Sequence, residues 1–205
     1  MKMMNTTVLK YDVEYASQVM SCIPVGYIDK TVCGCGITTV AIENNDNVII
    51  AVPSIELIRN KTAQYPNKRY KKPILGVYGL VTTKEIDAYI RASETNNDPI
   101  KIMVTYDSLP RLEYLLKDKN CNLIIDESNK LISSSRMKSC SKKAGSVDAV
   151  TTVFNIAEKY KDKVSFVSAT PTPVEYLPEG VSTLPNIKIE WATTIQAKPT
   201  LMKRT

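Results

Sequence analysis

The segment Cys121 to Glu127 reads Cys-Asn-Leu-Ile-Ile-Asp-Glu, an apolar run too short for a buried helix that ends abruptly in two adjacent carboxylates. A run of this length with no polar alternation predicts a strand buried on both faces, the kind that parallel sheets need when helices cover them. Val164 to Thr170, Val-Ser-Phe-Val-Ser-Ala-Thr, repeats the design with a polar tip. Strands of this type deliver their last residues to the carboxyl edge of a sheet, where α/β proteins place their ligand sites.

The rest of the chain fits the same architecture. Apolar runs near 27–33, 47–52, 74–78, 100–105, 121–126, 163–168 and 186–191 read as strands. Segments of helical period near 37–44, 54–64, 82–94, 107–117 and 147–160 read as helices, with an earlier helix near 11–21. This alternation predicts a mainly parallel sheet with helices on both faces. Asn186 to Trp191 alternates like a half-exposed edge strand. Thr82 and Glu85 have capping-box spacing, and Ser54 and Asp107 are placed to cap their own helices. The polar stretch 133–146 reads as an exposed loop.

With 205 residues, 43% of them hydrophobic, the chain suits one α/β domain. We expect a helical lead-in over 1–24, the α/β domain over 25–192, and a tail or linker over 193–205. A net charge of +6 makes nucleic acid a plausible partner. The five cysteines, with no histidine, read as reduced thiols and argue against both a disulfide frame and zinc. No run approaches the roughly 20 apolar residues of a membrane span, and no signal peptide is visible, so the expected location is cytoplasmic.

Residues 27 to 39 have the pattern of a strand, a glycine turn and a helix start: Tyr-Ile-Asp-Lys-Thr-Val-Cys-Gly-Cys-Gly-Ile-Thr-Thr. Gly34 and Gly36 let backbone N–H groups approach a phosphate, and Thr38 offers a hydroxyl to Mg²⁺. The G-x-x-x-x-G-K-[ST] phosphate loop has a lysine where this chain has Ile37, and a first glycine where it has Thr31. Lys30, just before the turn, is the nearest substitute cation, although strand alternation leaves open which face it takes.

The order of these pieces resembles the first RecA-like domain of superfamily-two helicases, the DEAD/DEAH-box-like group, across residues 25 to 175. Cys33, Gly34, Cys35, Gly36, Ile37, Thr38 and Thr39 match motif I. Val52 to Lys61, including Pro53 and Ser54, match motif Ia, and Val104 to Leu109, including Thr105, a later nucleic-acid-contacting motif. Asp126 to Asn129 match motif II, and Ser168, Ala169 and Thr170 match motif III. Asp-Glu-Ser-Asn stands where the family has Asp-Glu-Ala-His or Asp-Glu-Ala-Asp. Lysine-poor loops with a Gly-x-Gly-x-Thr-Thr core are similar to those of helicase-like proteins from phages and mobile elements, which would place the chain in a host cytoplasm.

The resemblance implies a RecA-like P-loop NTPase fold that binds ATP, with Thr38 and Asp126 sharing Mg²⁺ and Glu127 acting as general base. It implies that Ser168 and Thr170 hydrogen-bond the motif II carboxylates and couple the nucleotide site to nucleic acid. Pro53, Ser54, Lys61 and Thr105 would contact that nucleic acid, with DNA preferred to RNA. Lys68, Arg69, Lys71 and Lys72, interleaved with Tyr65 and Tyr70, add a basic cluster suited to gripping phosphates while stacking a base. A second RecA-like domain, in the same chain or from a partner, would supply a catalytic arginine, and without it hydrolysis falls by roughly 10³ to 10⁵. The alternative is a non-enzymatic nucleic-acid-binding or scaffold module that kept the fold after losing the loop lysine.

Overall fold

The protein was analysed as a computed structural model, which describes residues 6–68, 70–138 and 149–191. Eight strands form one sheet: β1 (Thr6–Tyr11), β2 (Gly26–Asp29), β3 (Val48–Val52), β4 (Leu75–Val77), β5 (Lys101–Thr105), β6 (Asn122–Asp126), β7 (Val164–Ser168) and β8 (Asn186–Trp191). Their order across the sheet is β1-β8-β2-β7-β6-β3-β5-β4, and every neighbouring pair is parallel. All eight carboxyl ends therefore line one edge. The helices are α1 (Ile37–Glu43), α2 (Ile55–Gln64), α3 (Thr83–Thr95), α4 (Glu113–Asp118), α5 (Ser128–Lys138), α6 (Ala149–Lys159) and α7 (Glu179–Ser182).

The sheet separates two apolar layers. On one side Ile49, Ile102, Leu123, Ile125 and Phe166 meet side chains from α3, α4, α5, α6 and α7. On the other, Ile28, Ile50, Met103, Ile124 and Val167 meet α1 and α2. Because β3 and β7 are covered on both faces, every residue in them is buried, Ser165 and Ser168 of β7 included. The expected α/β class, with helices on both faces of a parallel sheet, is present.

Several local expectations are corrected. The lead-in over 1–24 is not helical where described: Thr6–Tyr11 forms β1, and only a 3₁₀ turn at Ala16–Gln18 follows. β1 is the exposed edge strand, so β8 is not, and the alternation in Asn186–Trp191 reports one polar face rather than an edge position. The expected loop over 133–146 begins later, because α5 runs on to Lys138. Residues 139–148 and 192–205 lie outside the described part. The single helix expected at 107–117 is a 3₁₀ segment, Tyr106–Leu112, followed by α4, because Pro110 has no N–H to donate. Asp107 caps nothing there. The caps at Thr82 and Ser54 form as expected, Thr82 reciprocally with Glu85 and Ser54 accepting from the Leu57 N–H.

Candidate functional site

Three strand ends build the site. β2 stops at Asp29 because Thr31 adopts a left-handed backbone (φ 56°) held by two hydrogen bonds, its N–H donating to Asp29 Oδ1 and its Oγ1 to the Ile189 carbonyl. The turn then passes Gly34 (φ 79°) and Gly36 (φ 84°) into α1. A Cβ at Gly34 would meet nothing within 4 Å, so it is the positive φ, not crowding, that calls for glycine. The 3₁₀ turn of the lead-in docks here, its Ala16 N–H donating to the Cys35 carbonyl at 2.8 Å.

Thr38, in the first turn of α1, donates its hydroxyl to Asp126 Oδ2 at 2.9 Å. Glu127 follows in a left-handed conformation (φ 55°), with its N–H donating to Asp126 Oδ1 at 3.0 Å. A non-glycine residue at such a φ persists only where its surroundings impose it. Tyr106 does so, its phenol donating to the Asp126 carbonyl at 2.6 Å and the Glu127 carbonyl at 3.2 Å. Burial, with the two carboxylates nearby, pushes that phenol well above its ordinary pKa and keeps the donor in place.

Lys30 completes the cluster. Its ammonium lies 3.1 Å from Asp126 Oδ1 and 3.1 Å from Glu127 Oε1, and the residue is only 6% exposed. Burial opposes the charge, but attraction and hydrogen bonds from both carboxylates outweigh it and raise the lysine's pKa. The strand alternation that made its direction ambiguous ends one residue earlier, at Asp29. In the sheet β7 lies between β2 and β6, so Lys30 reaches over the end of β7. With strands about 4.8 Å apart, that is a span of about 10 Å from β2 to β6.

Ile37, at the position of the expected lysine, is 3% exposed and packs in the layer with α1 and α2. Cys35 is buried, Cys33 is exposed, and Thr39 is half-buried beside Thr38. Ser168 does not bond the carboxylates as expected. Its hydroxyl donates to Asn129 Oδ1 at 3.1 Å, while Asn129 Nδ2 donates to Thr170 Oγ1 at 3.0 Å. The link between the two segments runs through Asn129 because α5 turns its first residues over the end of β7. Ala169 is half-buried between the two bonding residues.

The residues expected to touch nucleic acid do not share one surface. Pro53 and Ser54 follow β3, and Thr105 ends β5, at the carboxyl edge, where the Thr105 hydroxyl donates to Ser108 at 3.1 Å. Lys68, Lys71 and Lys72 lie between the end of α2 and the start of β4, at the opposite edge of the sheet. Lys61, in the last turn of α2, is nearer to them. Lys72 pairs with Asp98 at 3.0 Å, and Arg69 lies outside the described residues. Tyr65 and Tyr70 are 7% and 8% exposed and pack edge to face, so neither is free to stack a base.

The roles of Tyr106 and of the Ala16 turn carry no signal in the sequence, whereas Asn129 stands there as the polar last residue of the motif II match.

Among the described residues no helix is long and apolar enough to cross a membrane. No protein-family model matches the sequence. No curated protein matches it either. Among solved structures, the chain superposes on DEAD-box helicase Mss116 bound to ssRNA and UDP-BeF with a TM-score of 0.51 and 14% identity, covering 90% of this chain and 38% of that one. The helicase domain of Pyrococcus furiosus Hef is a more distant likeness, with a TM-score of 0.43 and 13% identity over 94% of this chain and 36% of that one. This chain thus spans well under half the length of either protein. At such identity the likeness speaks to fold alone, and the fold is a RecA-like α/β domain with an all-parallel sheet.

Proposed function

We propose that this chain is the first RecA-like domain of an ATP-dependent nucleic-acid helicase or translocase with a degenerate phosphate loop. The observation that carries the reading is the 2.9 Å contact between Thr38 Oγ1 and Asp126 Oδ2, which joins a glycine turn to a strand-end carboxylate pair. These two are hard oxygen donors, and a single carboxylate with a hydroxyl leaves room for water and phosphate, which suits Mg²⁺. Bound there, Mg²⁺ would neutralise charge on the phosphate oxygens. The turn's backbone would hold the phosphates, and Glu127, fixed by Tyr106, would orient and deprotonate the attacking water. Asn129 would report the state of the carboxylate turn to Ser168 and Thr170. An arginine from a second RecA-like domain would complete the site, so the isolated domain turns over slowly.

Calorimetry tests nucleotide binding directly. ATP and ADP should bind weakly and more tightly with Mg²⁺ than with a chelator. No heat at millimolar nucleotide in either condition would refute the reading in favour of a module without nucleotide chemistry.

The nucleic-acid contact belongs, on this reading, to the carboxyl edge around Pro53, Ser54 and Thr105, next to the nucleotide site. The lysines at the opposite edge would lie off that track. Replacing Lys68 and Lys71 with glutamine should therefore leave the salt dependence of single-strand binding unchanged, measured by fluorescence anisotropy on DNA and RNA. A logarithmic slope that falls by about two would instead assign two phosphate contacts to those lysines.

A further inference from the structure

Lys30 is held where no loop lysine stands, and its backbone is fixed from three strands. Its N–H donates to the Ser168 carbonyl at the end of β7, at 2.9 Å. Its carbonyl accepts from Trp191 Nε1 at the end of β8, also at 2.9 Å, and β2 leads straight into it. The main chain is thus rigid while the side chain alone spans the cleft, its ammonium shared between Asp126 and Glu127. The turn from Val32 to Gly36 begins two residues beyond. The charge is felt there: burial pushes the Cys35 thiol up, and Lys30 is among the groups pulling it back.

We propose that Lys30 is the phosphate-binding cation of this site, relocated from the loop to the strand before it and stored on the motif carboxylates until nucleotide arrives. The inference rests on the nucleotide-binding reading above. Asp126 and Glu127 carry two negative charges against one lysine, so the stored state is a partly neutralised pair. A divalent cation at Asp126 competes with the ammonium for Oδ1 and repels it. The nearest anion to which a lysine tethered at this position can turn is a phosphate seated over the glycine turn. Lys30 therefore has two opposite relations to ligands: it excludes free Mg²⁺ from the carboxylates and attracts phosphate.

That opposition is testable with the wild-type chain, Lys30→Met and Lys30→Gln, each checked for folding by circular dichroism. Lys30→Gln keeps hydrogen bonding to the carboxylates without the charge, and it answers the question if the methionine variant does not fold. In nucleotide-free wild type, titration with Mg²⁺ alone should give no saturable binding below millimolar concentration. Both variants should bind Mg²⁺ alone about tenfold more tightly, and ADP in chelator about tenfold or more weakly, the range of a lost charged hydrogen bond. One substitution moving two ligands in opposite directions is something a merely structural lysine cannot produce. If wild type binds ADP and the variants bind it equally well, the inference fails while the nucleotide reading stands. If Mg²⁺ alone saturates the wild type below millimolar concentration, the stored-lysine state is overturned. If wild type binds no nucleotide at all, both fall together.

Discussion

Asp126→Ala should lower Mg²⁺-dependent ADP affinity by about 100-fold or more while leaving binding in chelator within a few-fold of wild type. The size follows from the place of Asp126, whose carboxylate meets Thr38 on one oxygen and Lys30 on the other. Loss of a residue that only supports a metal ligand typically costs 10- to 100-fold in metal affinity, and a ligand itself costs at least that much. The side chain is half-buried at a strand end and fills no part of either apolar layer, so the fold should survive. Lys30 keeps Glu127 as a partner in the variant, which avoids a buried unpaired cation. Thr38→Ala is the milder companion, removing a neutral donor from the same pair. Calorimetry with and without Mg²⁺ on both chains gives the comparison. Equal Mg²⁺ dependence in wild type and Asp126→Ala would mean that the contact between Thr38 and Asp126 is a structural hydrogen bond and nothing more.

The layered fold was legible because both of its determinants are local. A run such as Val48–Val52 contains no polar alternation that a half-exposed strand would need, so a two-sided sheet was the economical reading. The capping residues Ser54 and Thr82 were legible for the same reason, their partners lying three residues on. β1 was not. Thr6–Tyr11 mixes polar and apolar residues at an exposed edge, and its pairing partner, β8, is 180 residues away at Thr6 and Asn186. The basic run from Lys68 misled because tyrosines between lysines look alike whether they face solvent or core. Here α2 returns the chain to the amino edge, and Tyr65 and Tyr70 turn inward beneath it.

Within the candidate site, the pair of carboxylates and the glycine turn were legible as residue types in order, and the long-range contacts that make them a site were not. Lys30 illustrates the difference. Its direction depends on Thr31 taking a left-handed backbone, which no periodicity announces, and on Trp191 holding its carbonyl from 161 residues away. Tyr106 fixes the carboxylate turn through main-chain carbonyls, and carbonyls have no sequence signature at all. The displaced coupling through Asn129 has a similar origin. Ser168 ends β7 with 1% exposure, and its hydroxyl donates to what α5 places above it, an amide rather than a carboxylate, while accepting from the Thr170 N–H.

Stability should rise with pH between about 7 and 9 and then level off, a profile that originates at the other edge of the sheet. Lys101, the first residue of β5, is 1% exposed and points its ammonium at the carboxyl end of α1, donating to the Ala41 carbonyl at 2.8 Å and to Asn44 Oδ1. Burial dominates and lowers its pKa from 10.5 to about 7, against the pull of Asp46 and Cys121 and with the push of Lys72. Below pH 7 both folded and unfolded chains hold the proton, and the full cost of burying the charge is present. Between 7 and 10.5 the unfolded chain keeps the proton that the folded chain has released, so the unfolded state binds more protons and stability climbs with pH. The slope is at most about 1.4 kcal/mol per pH unit, which gives about 2–3 kcal/mol by pH 9. Cys121 then cancels the rise. Burial raises its thiol from 9.0 to about 12, so above pH 9 the unfolded chain releases a proton that the folded chain retains, which offsets the Lys101 gain. The buried Tyr106 phenol turns the plateau into a decline above about pH 10 on the same logic. Urea melts at pH 6, 7, 8, 9 and 10 on wild type and Lys101→Met read the effect. The variant leaves the Ala41 carbonyl without this donor, so its absolute stability can move either way, but the rise from pH 7 to 9 should disappear. Parallel curves for the two chains would show that Lys101 stays protonated throughout, held by its two acceptors at the end of α1.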